Sequence, residues 1–152
     1  MAFELTSTAF GNGETIPQKY TCDGPDFSVP LKWTDPPAGT KSLALICDDP
    51  DAPVGIWVHW VIYGFSPDTR ELSEGIEKDK VPANGKQGKN DFGRIGYGGP
   101  CPPRGPAHRY FFKLYALDVE LDLSPGMTKK SLLKAMDGHA LAEAELMGRY
   151  GR

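Results

Sequence analysis

The residues of this sequence that could do chemistry lie at or beside the ends of apolar segments. Asp49 and Asp51 follow one such segment, His59 lies within the next, and His108 and Tyr110 begin a third. Because side chains two residues apart on a strand point to the same face, we expect His108 and Tyr110 to lie about 7 Å apart on one face. If these segment ends converge, two imidazoles, a phenol and a carboxylate line one small basin.

Such a basin is suited to a small anion. A carboxylate next to an imidazole favours the cationic form, whose second ring nitrogen can donate to a phosphate or carboxylate oxygen. The Tyr110 hydroxyl and the backbone N–H groups of Gly98 and Gly99 are further predicted donors. Three or four charge-assisted hydrogen bonds, worth roughly 1.5–3 kcal/mol each, are enough for micromolar to millimolar affinity. The alternative for each histidine is a core residue that bonds only to the backbone.

Catalytic and metal sites have less support. The sequence has no Gly-x-Ser-x-Gly elbow, Walker loop or His-Glu-x-x-His motif, and the glycines of 93–98 lack the context of a dinucleotide site. Cys101 and His108 are a conceivable nucleophile and base, but no third group evidently orients them. We therefore predict no catalytic residue, metal or cofactor, and we assign His139 to a helix cap or the surface. A zinc site would need four ligands whose spacing matches no familiar pattern: Cys47, His59, Cys101 and His108.

The elements that position these residues are predicted to be mainly β-strands. Residues 42–47 form an unbroken apolar run, which is typical of a fully buried strand. Trp57–Phe65 is apolar on both faces, as a central strand should be, and period two assigns His59 to the same face as Val61 and Tyr63. Further strands are predicted over residues 3–9, 16–20, 29–34 and 110–121.

The remaining segments are predicted to hold one helix, one more strand and one insertion. Residues 127–136 are good helix formers, with Ser124 or Thr128 as a candidate N-cap and Gly138 as the glycine that ends the helix. Residues 140–150 favour helix by composition but alternate in polarity, so we predict a strand in the second half. The charged segment 68–94 has no periodicity and is predicted to be an ordered, solvated excursion.

Composition limits the class of protein. A chain of 152 residues has the size of a single domain, 1–152, and its 18 glycines and 14 prolines favour many turns between short strands. The formal net charge of −3 gives no reason to expect nucleic acid as a partner. No apolar run approaches the ~18 residues of a transmembrane segment, and the first residues lack a signal-peptide pattern. Three irregularly spaced cysteines predict reduced thiols and a cytoplasmic location.

Two long motifs resemble the signature segments of the phosphatidylethanolamine-binding protein family. The first is Asp48-Asp-Pro-Asp-Ala-Pro53 with the later Trp57-Val-His-Trp60, and the second is Gly98-Gly-Pro-Cys-Pro-Pro-Arg-Gly-Pro-Ala-His-Arg-Tyr110. The sequence is most similar to the prokaryotic, Raf-kinase-inhibitor-like branch. The resemblance continues through residues 30–33 and 39–45, so it extends over nearly the whole chain.

The resemblance implies a fold, a pocket and an oligomeric state. The implied fold is a β-sandwich type with a large antiparallel sheet, a smaller second sheet and one or two short helices. The implied pocket takes phosphate, phosphorylethanolamine or a similar phospholipid head group, beside a cis bond at Ala52–Pro53, and prokaryotic relatives are often homodimers. Carried over by motif, the ligand-binding residues are Asp49, Asp51, Ala52, Pro53, His59, Gly99, Pro100, Pro102, His108 and Tyr110.

The leading functional prediction is non-enzymatic binding of a small anion or phospho-ligand, with a regulatory role as an extension. The alternative is a protein-interaction module that inhibits a protease or kinase, for which the segment 68–94 offers a candidate surface. A small hydrolase is the third hypothesis.

Overall fold

The computed structural model describes residues 3–77 and 85–152, and it has two antiparallel sheets. The large sheet has five strands in the order β6-β4-β3-β7-β8, and the small sheet has three in the order β1-β2-β5. The predicted fold class is confirmed, because the described residues are mainly β, with a large sheet, a smaller sheet and one α-helix. The elements are β1 Leu5–Thr6, a 3-10 turn Gln18–Tyr20, β2 Leu31–Trp33, β3 Ser42–Asp49, β4 Trp57–Phe65, β5 Glu71–Leu72, β6 Lys86–Gln87, β7 His108–Leu117, α1 Lys129–Met136 and β8 Ala140–Tyr150.

Strand β3 lies at the centre of the large sheet, and all eight of its residues are buried. Its alternate side chains enter two cores, because successive residues of a strand point to opposite faces. Leu43 and Leu45 pack in the core that also holds residues of the small sheet. Ala44 and Ile46 pack on the other face, against residues of α1. The apolar run in the sequence is therefore explained by burial on both sides.

Strand β4 has the predicted bounds but not the predicted alternation. Cys47 pairs with Trp60 and Asp48 pairs with Val58, so His59 is an extra residue opposite the ladder, that is, a β-bulge. A bulge re-aims the side chain that it carries. The prediction that His59 shares a face with Val61 and Tyr63 is wrong, since those two pack on the helix side while His59 packs against Tyr110.

Helix α1 confirms the prediction for residues 127–136. The Thr128 side chain caps the helix by accepting a hydrogen bond from the backbone N–H of Ser131 (3.2 Å). Gly138 follows the helix with a φ of 80°, a conformation that glycine adopts without strain. Leu132 and Met136, one turn apart, are buried against the large sheet.

Strand β8 extends further than predicted, because the whole segment Ala140–Tyr150 is strand. It pairs along its length with β7, from Leu117 opposite Ala140 to His108 opposite Tyr150. Pairing with a complete neighbouring strand overrides the helix-forming composition. Strand β7 itself begins at His108 and ends at Leu117, four residues before the predicted end.

Three other predictions differ from the structure. Strand β1 is only two residues long, and the predicted strand 16–20 is a 3-10 turn that follows Pro17, whose φ is −60°. The segment 68–94 is not simply a solvated excursion: it supplies β5 and β6, and Gln87 is buried, where it accepts a hydrogen bond from the Trp60 indole (2.8 Å). Residues 78–84 of that segment lie outside the described residues. The predicted cis bond at Ala52–Pro53 is wrong, since the peptide bonds described are trans.

Within the two described ranges, no helix is long and apolar enough to cross a bilayer.

Candidate functional site

A cavity of about 220 Å³ lies where β3 ends, β4 begins and β7 begins. The described residues also line three larger depressions of about 460, 640 and 360 Å³, and none of those three contains a histidine. The cavity of about 220 Å³ is the one lined by the candidate residues Asp49, His59, His108 and Tyr110. It is lined by Asp49, Ala52, Pro53, Val54, Trp57, His59, Phe92, Cys101, Pro102, Pro103, His108 and Tyr110.

Asp49, the last residue of β3, is a buried carboxylate with two partners. Oδ1 accepts a hydrogen bond from the backbone N–H of Asp51 (2.7 Å), and Oδ2 accepts one from Nδ1 of His108 (2.7 Å). Only 3% of Asp49 is exposed, so these bonds replace the water that the carboxylate loses. Because the carboxylate can only accept when ionised, Nδ1 of His108 carries the proton and Nε2 is left for another partner.

His59, the bulge residue of β4, is held differently. Its Nδ1 donates to the backbone carbonyl of Gly98 (2.6 Å), and its ring lies edge-on to the rings of Tyr110 (5.1 Å) and Phe92 (5.4 Å). Burial lowers the pKa of His59 below its ordinary 6.5, although the Gly98 carbonyl and the Asp49 carboxylate oppose this shift. His59 is therefore neutral near pH 7, and its Nε2 is an acceptor.

His108 and Tyr110 share a face of β7, as predicted. Their rings are stacked with centroids 6.5 Å apart, close to the spacing of alternate residues on a strand. Burial, together with the nearby Asp49 charge, raises the pKa of the Tyr110 hydroxyl, which therefore keeps its proton. No hydrogen bond joins this hydroxyl to another described residue. The Tyr110 proton thus remains for a ligand or for water.

Asp51 is not brought into the cavity lining. Its carboxylate accepts three hydrogen bonds of 2.8–2.9 Å from Arg109: one from the backbone N–H, one from Nε and one from Nη2. The hydrogen bonds and charge of Arg109 lower the pKa of Asp51 to about 2. Asp51 therefore acts as a fixed anion that fastens the loop after β3 to the start of β7.

Gly99 and Pro100 also lie outside the lining, and the predicted glycine donors are already engaged. The N–H of Gly98 donates to the carbonyl of His59 (2.9 Å), and that of Gly99 donates to Oδ1 of Asp26 (3.0 Å). A side chain at position 99 would collide with the carbonyl of Tyr20, at 2.3 Å from an ideal Cβ. Glycine is required here for close packing of two loops. The carbonyl of Pro100 accepts from the N–H of Cys22 (3.1 Å).

The comparison with known proteins bears on this same part of the chain. A family model described as phosphatidylethanolamine-binding protein matches residues 6–151, which include all of the cavity lining. The chain belongs to the phosphatidylethanolamine-binding protein family.

Similar proteins within the family include archaeal and bacterial ones. The UPF0098 protein of Methanothermobacter thermautotrophicus is 53% identical over 149 residues, which span 97% of this chain and 98% of the relative. Among solved structures, a phosphatidylethanolamine-binding protein homologue from Chlamydia trachomatis has a TM-score of 0.91 and 48% identity, covering 99% of this chain and 98% of that one. Escherichia coli YbcL, described as a new member of the mammalian family, has a TM-score of 0.93 and 32% identity, covering 100% and 99%.

The prediction of three reduced cysteines is wrong. Cys22 and Cys101 form a disulfide across 79 residues of sequence, which irregular spacing could not indicate. Cys101 is therefore not available as a nucleophile or as a zinc ligand. Cys47 is a free thiol that lies buried in the core between the sheets, and burial raises its pKa. With a disulfide present, the cysteines no longer support the predicted cytoplasmic location.

Five residues of the cavity lining are not among the predicted ligand-binding residues: Val54, Trp57, Phe92, Cys101 and Pro103. Trp57 and Phe92 lie edge to face with ring centroids 5.5 Å apart and form an aromatic wall. Phe92 belongs to the charged segment 68–94, which was predicted to be solvated. The feature that could have marked it as a cavity residue is a single aromatic side chain among glycines and charged residues. Val54 is 77% exposed at the cavity mouth. His139, predicted at a cap or the surface, lies partly exposed after α1 and pairs with Asp118 (2.8 Å).

Proposed function

We propose that the cavity binds a small phosphate-bearing anion, inorganic phosphate or a phosphate monoester such as phosphorylethanolamine, without converting it chemically. The observation that supports this most directly is that His59, His108 and Tyr110 line one cavity of about 220 Å³. Each histidine uses Nδ1 for a protein partner, which leaves its Nε2 for the ligand. Family membership is consistent with a phosphorylated ligand.

The three side chains match different oxygens of a phosphate. Tyr110 keeps its proton and donates, and His108 donates through Nε2 when its ring is protonated, with the Asp49 carboxylate balancing that charge from behind. Neutral His59 offers an acceptor and therefore suits the hydroxyl of a singly protonated phosphate. Two donors and one acceptor favour the singly protonated phosphate group over the fully ionised one.

This arrangement sets the sign of the pH dependence. A donor at Nε2 of His108 requires a protonated ring, and a phosphate monoester loses its second proton near pH 6. Both requirements make binding take up protons, so affinity should fall as the pH rises from about 6 to 8.

The test is a titration followed by NMR of the histidine rings. Inorganic phosphate and, separately, phosphorylethanolamine are added to millimolar concentration, and the ring resonances of His59 and His108 should shift while those of His139 stay fixed. His108→Gln should abolish the response at His59. His139→Gln is the matched control, since it removes a histidine that also pairs with an aspartate but lies outside the cavity. If neither cavity histidine shifts at millimolar ligand, the proposal is wrong.

One observation favours a second candidate function, contact with a partner protein or another copy of this chain. Val54, which lines the cavity, is 77% exposed, and Ile56, which lines the depression of about 640 Å³, is 59% exposed. Exposed apolar side chains are typical of interaction sites when they cluster. Sedimentation equilibrium of the protein and of Val54→Asp tests the homodimer. A monomer at every concentration would exclude it.

A further inference from the structure

The disulfide joins the cavity wall to a distant turn. Cys101 lines the cavity together with Pro102 and Pro103, while Cys22 follows the 3-10 turn Gln18–Tyr20. The segment 100–107, all of which the structure describes, contains no helix or strand. Its conformation must therefore be fixed by individual contacts and not by a ladder of hydrogen bonds.

Few such contacts hold this segment apart from the disulfide. The carbonyl of Pro100 accepts from the N–H of Cys22 (3.1 Å), and the N–H of Gly105 donates to the carbonyl of Arg152 (3.2 Å). Nη1 of Arg152 makes a long contact with the carbonyl of Pro102 (3.4 Å). The covalent bond is the strongest restraint on the wall that faces His108.

The same disulfide is placed where a reductant can reach it. Cys22 and Cys101 are both exposed, unlike the buried Cys47. Nη1 of Arg152 lies 3.8 Å from Sγ of Cys101, and a guanidinium beside a sulfur stabilises the thiolate. Since a disulfide is cleaved faster when the departing sulfur is stabilised as a thiolate, attack on Sγ of Cys22 with departure of Cys101 is favoured.

We propose that the Cys22–Cys101 disulfide controls the affinity of the cavity for a phosphate monoester, which makes the site redox-dependent. The proposal rests on the proposed function. A dithiol reductant breaks the Sγ–Sγ bond through a mixed disulfide; the protein gains two electrons and two protons as two thiols, and the reductant becomes a cyclic disulfide. Segment 100–107 then samples arrangements in which Pro102 and Pro103 no longer face His108. If the competent arrangement falls to about a tenth of the molecules, the apparent Kd rises about tenfold.

The experiment compares phosphorylethanolamine binding by the oxidised protein, the protein treated with dithiothreitol without denaturant, and the variant Cys22→Ser/Cys101→Ser. Alkylation and mass spectrometry establish which cysteines are reduced, and circular dichroism establishes that each sample is folded. Hydrogen exchange of segment 100–107 reports its mobility independently of any ligand. The double serine variant treated with dithiothreitol is the control for effects of the reductant itself.

We expect the reduced protein and the double variant to bind about tenfold more weakly than the oxidised protein, with the largest increase in exchange rate in segment 100–107. Equal binding by oxidised and reduced protein would overturn the redox proposal and leave the proposed function intact. A disulfide that stays closed in excess dithiothreitol would also overturn it. Absence of binding in both states would refute the proposed function and this inference with it.

Discussion

The pairing of Asp49 with His108 should stabilise the fold far more than a pair of the same geometry on the surface. In both Asp49–His108 and Asp118–His139, Nδ1 of the imidazole donates to a carboxylate oxygen, at 2.7 and 2.8 Å. The side chains of the first pair are 4% and 12% exposed, and those of the second are 42% and 44% exposed. The two pairs therefore differ mainly in burial, and each serves as the control for the other.

The magnitudes follow from that difference. Removing one partner of a buried pair leaves the other without compensation for its lost solvation, which costs about 3–5 kcal/mol. Replacing both partners relieves part of that cost, so the interaction energy from a double-mutant cycle on Asp49 and His108 should be about 2–3 kcal/mol. At the exposed pair, water solvates whichever partner remains. The interaction energy there should be about 0–1 kcal/mol.

Urea unfolding of the alanine variants measures both cycles. Each cycle needs the two single variants and the double variant, at one pH and one ionic strength, with the slope of the unfolding curve checked for constancy. In a domain of this size, each kcal/mol corresponds to roughly 2–4 °C in Tm, so thermal unfolding gives a second estimate. Equal interaction energies for the two pairs would refute the reasoning, because burial would then not decide the strength of the pair.

Three further predictions test other parts of the structure. Cys22→Ser/Cys101→Ser should lower the free energy of unfolding by about 4 kcal/mol, since the disulfide closes a loop across 79 residues. A free energy of unfolding in urea equal to that of the wild type would contradict the pairing of Cys22 with Cys101. Burial lowers the pKa of His59 in the folded state only, so the stability that depends on a neutral His59 is present above pH 6.5 and is lost as the pH falls. Between pH 7 and 5, the free energy of unfolding should therefore fall more for the wild type than for His59→Gln. Thr128→Ala should cost about 1 kcal/mol of unfolding free energy, and a loss equal to that of a Ser124→Ala control would argue against the cap.

The elements that could be predicted are those whose signal is local. The apolar run of β3 and the cap and glycine that bound α1 depend on neighbouring residues, and both are present in the structure. The two-residue strands β5 and β6 could not be recognised, since two residues carry no periodicity. The length of β8 depends on β7, a partner far away in sequence.

In the candidate site, too, the side chains whose placement depends on local pattern could be predicted, and those whose placement depends on distant pairing could not. The common face of His108 and Tyr110 followed from strand period and is present in the structure. The environment of His59 did not, because one extra residue in β4 turns its side chain away from the face that alternation assigns to it. A motif gives the identity of a residue, whereas a bulge decides where its side chain points.

The two aspartates of the first motif illustrate why a motif cannot by itself assign roles. Asp49 and Asp51 are two residues apart in the motif Asp48-Asp-Pro-Asp-Ala-Pro53. Asp49 nevertheless ends β3 beside His108, whereas Asp51 is bound by Arg109. Since His108 and Arg109 are adjacent on β7, their side chains point to opposite faces, and each selects a different carboxylate. The two aspartates therefore have different roles. Asp49 holds His108 at the cavity, and Asp51 binds the loop that carries Ala52 and Pro53 to β7. Asp51 should therefore affect ligand affinity only through the position of that loop.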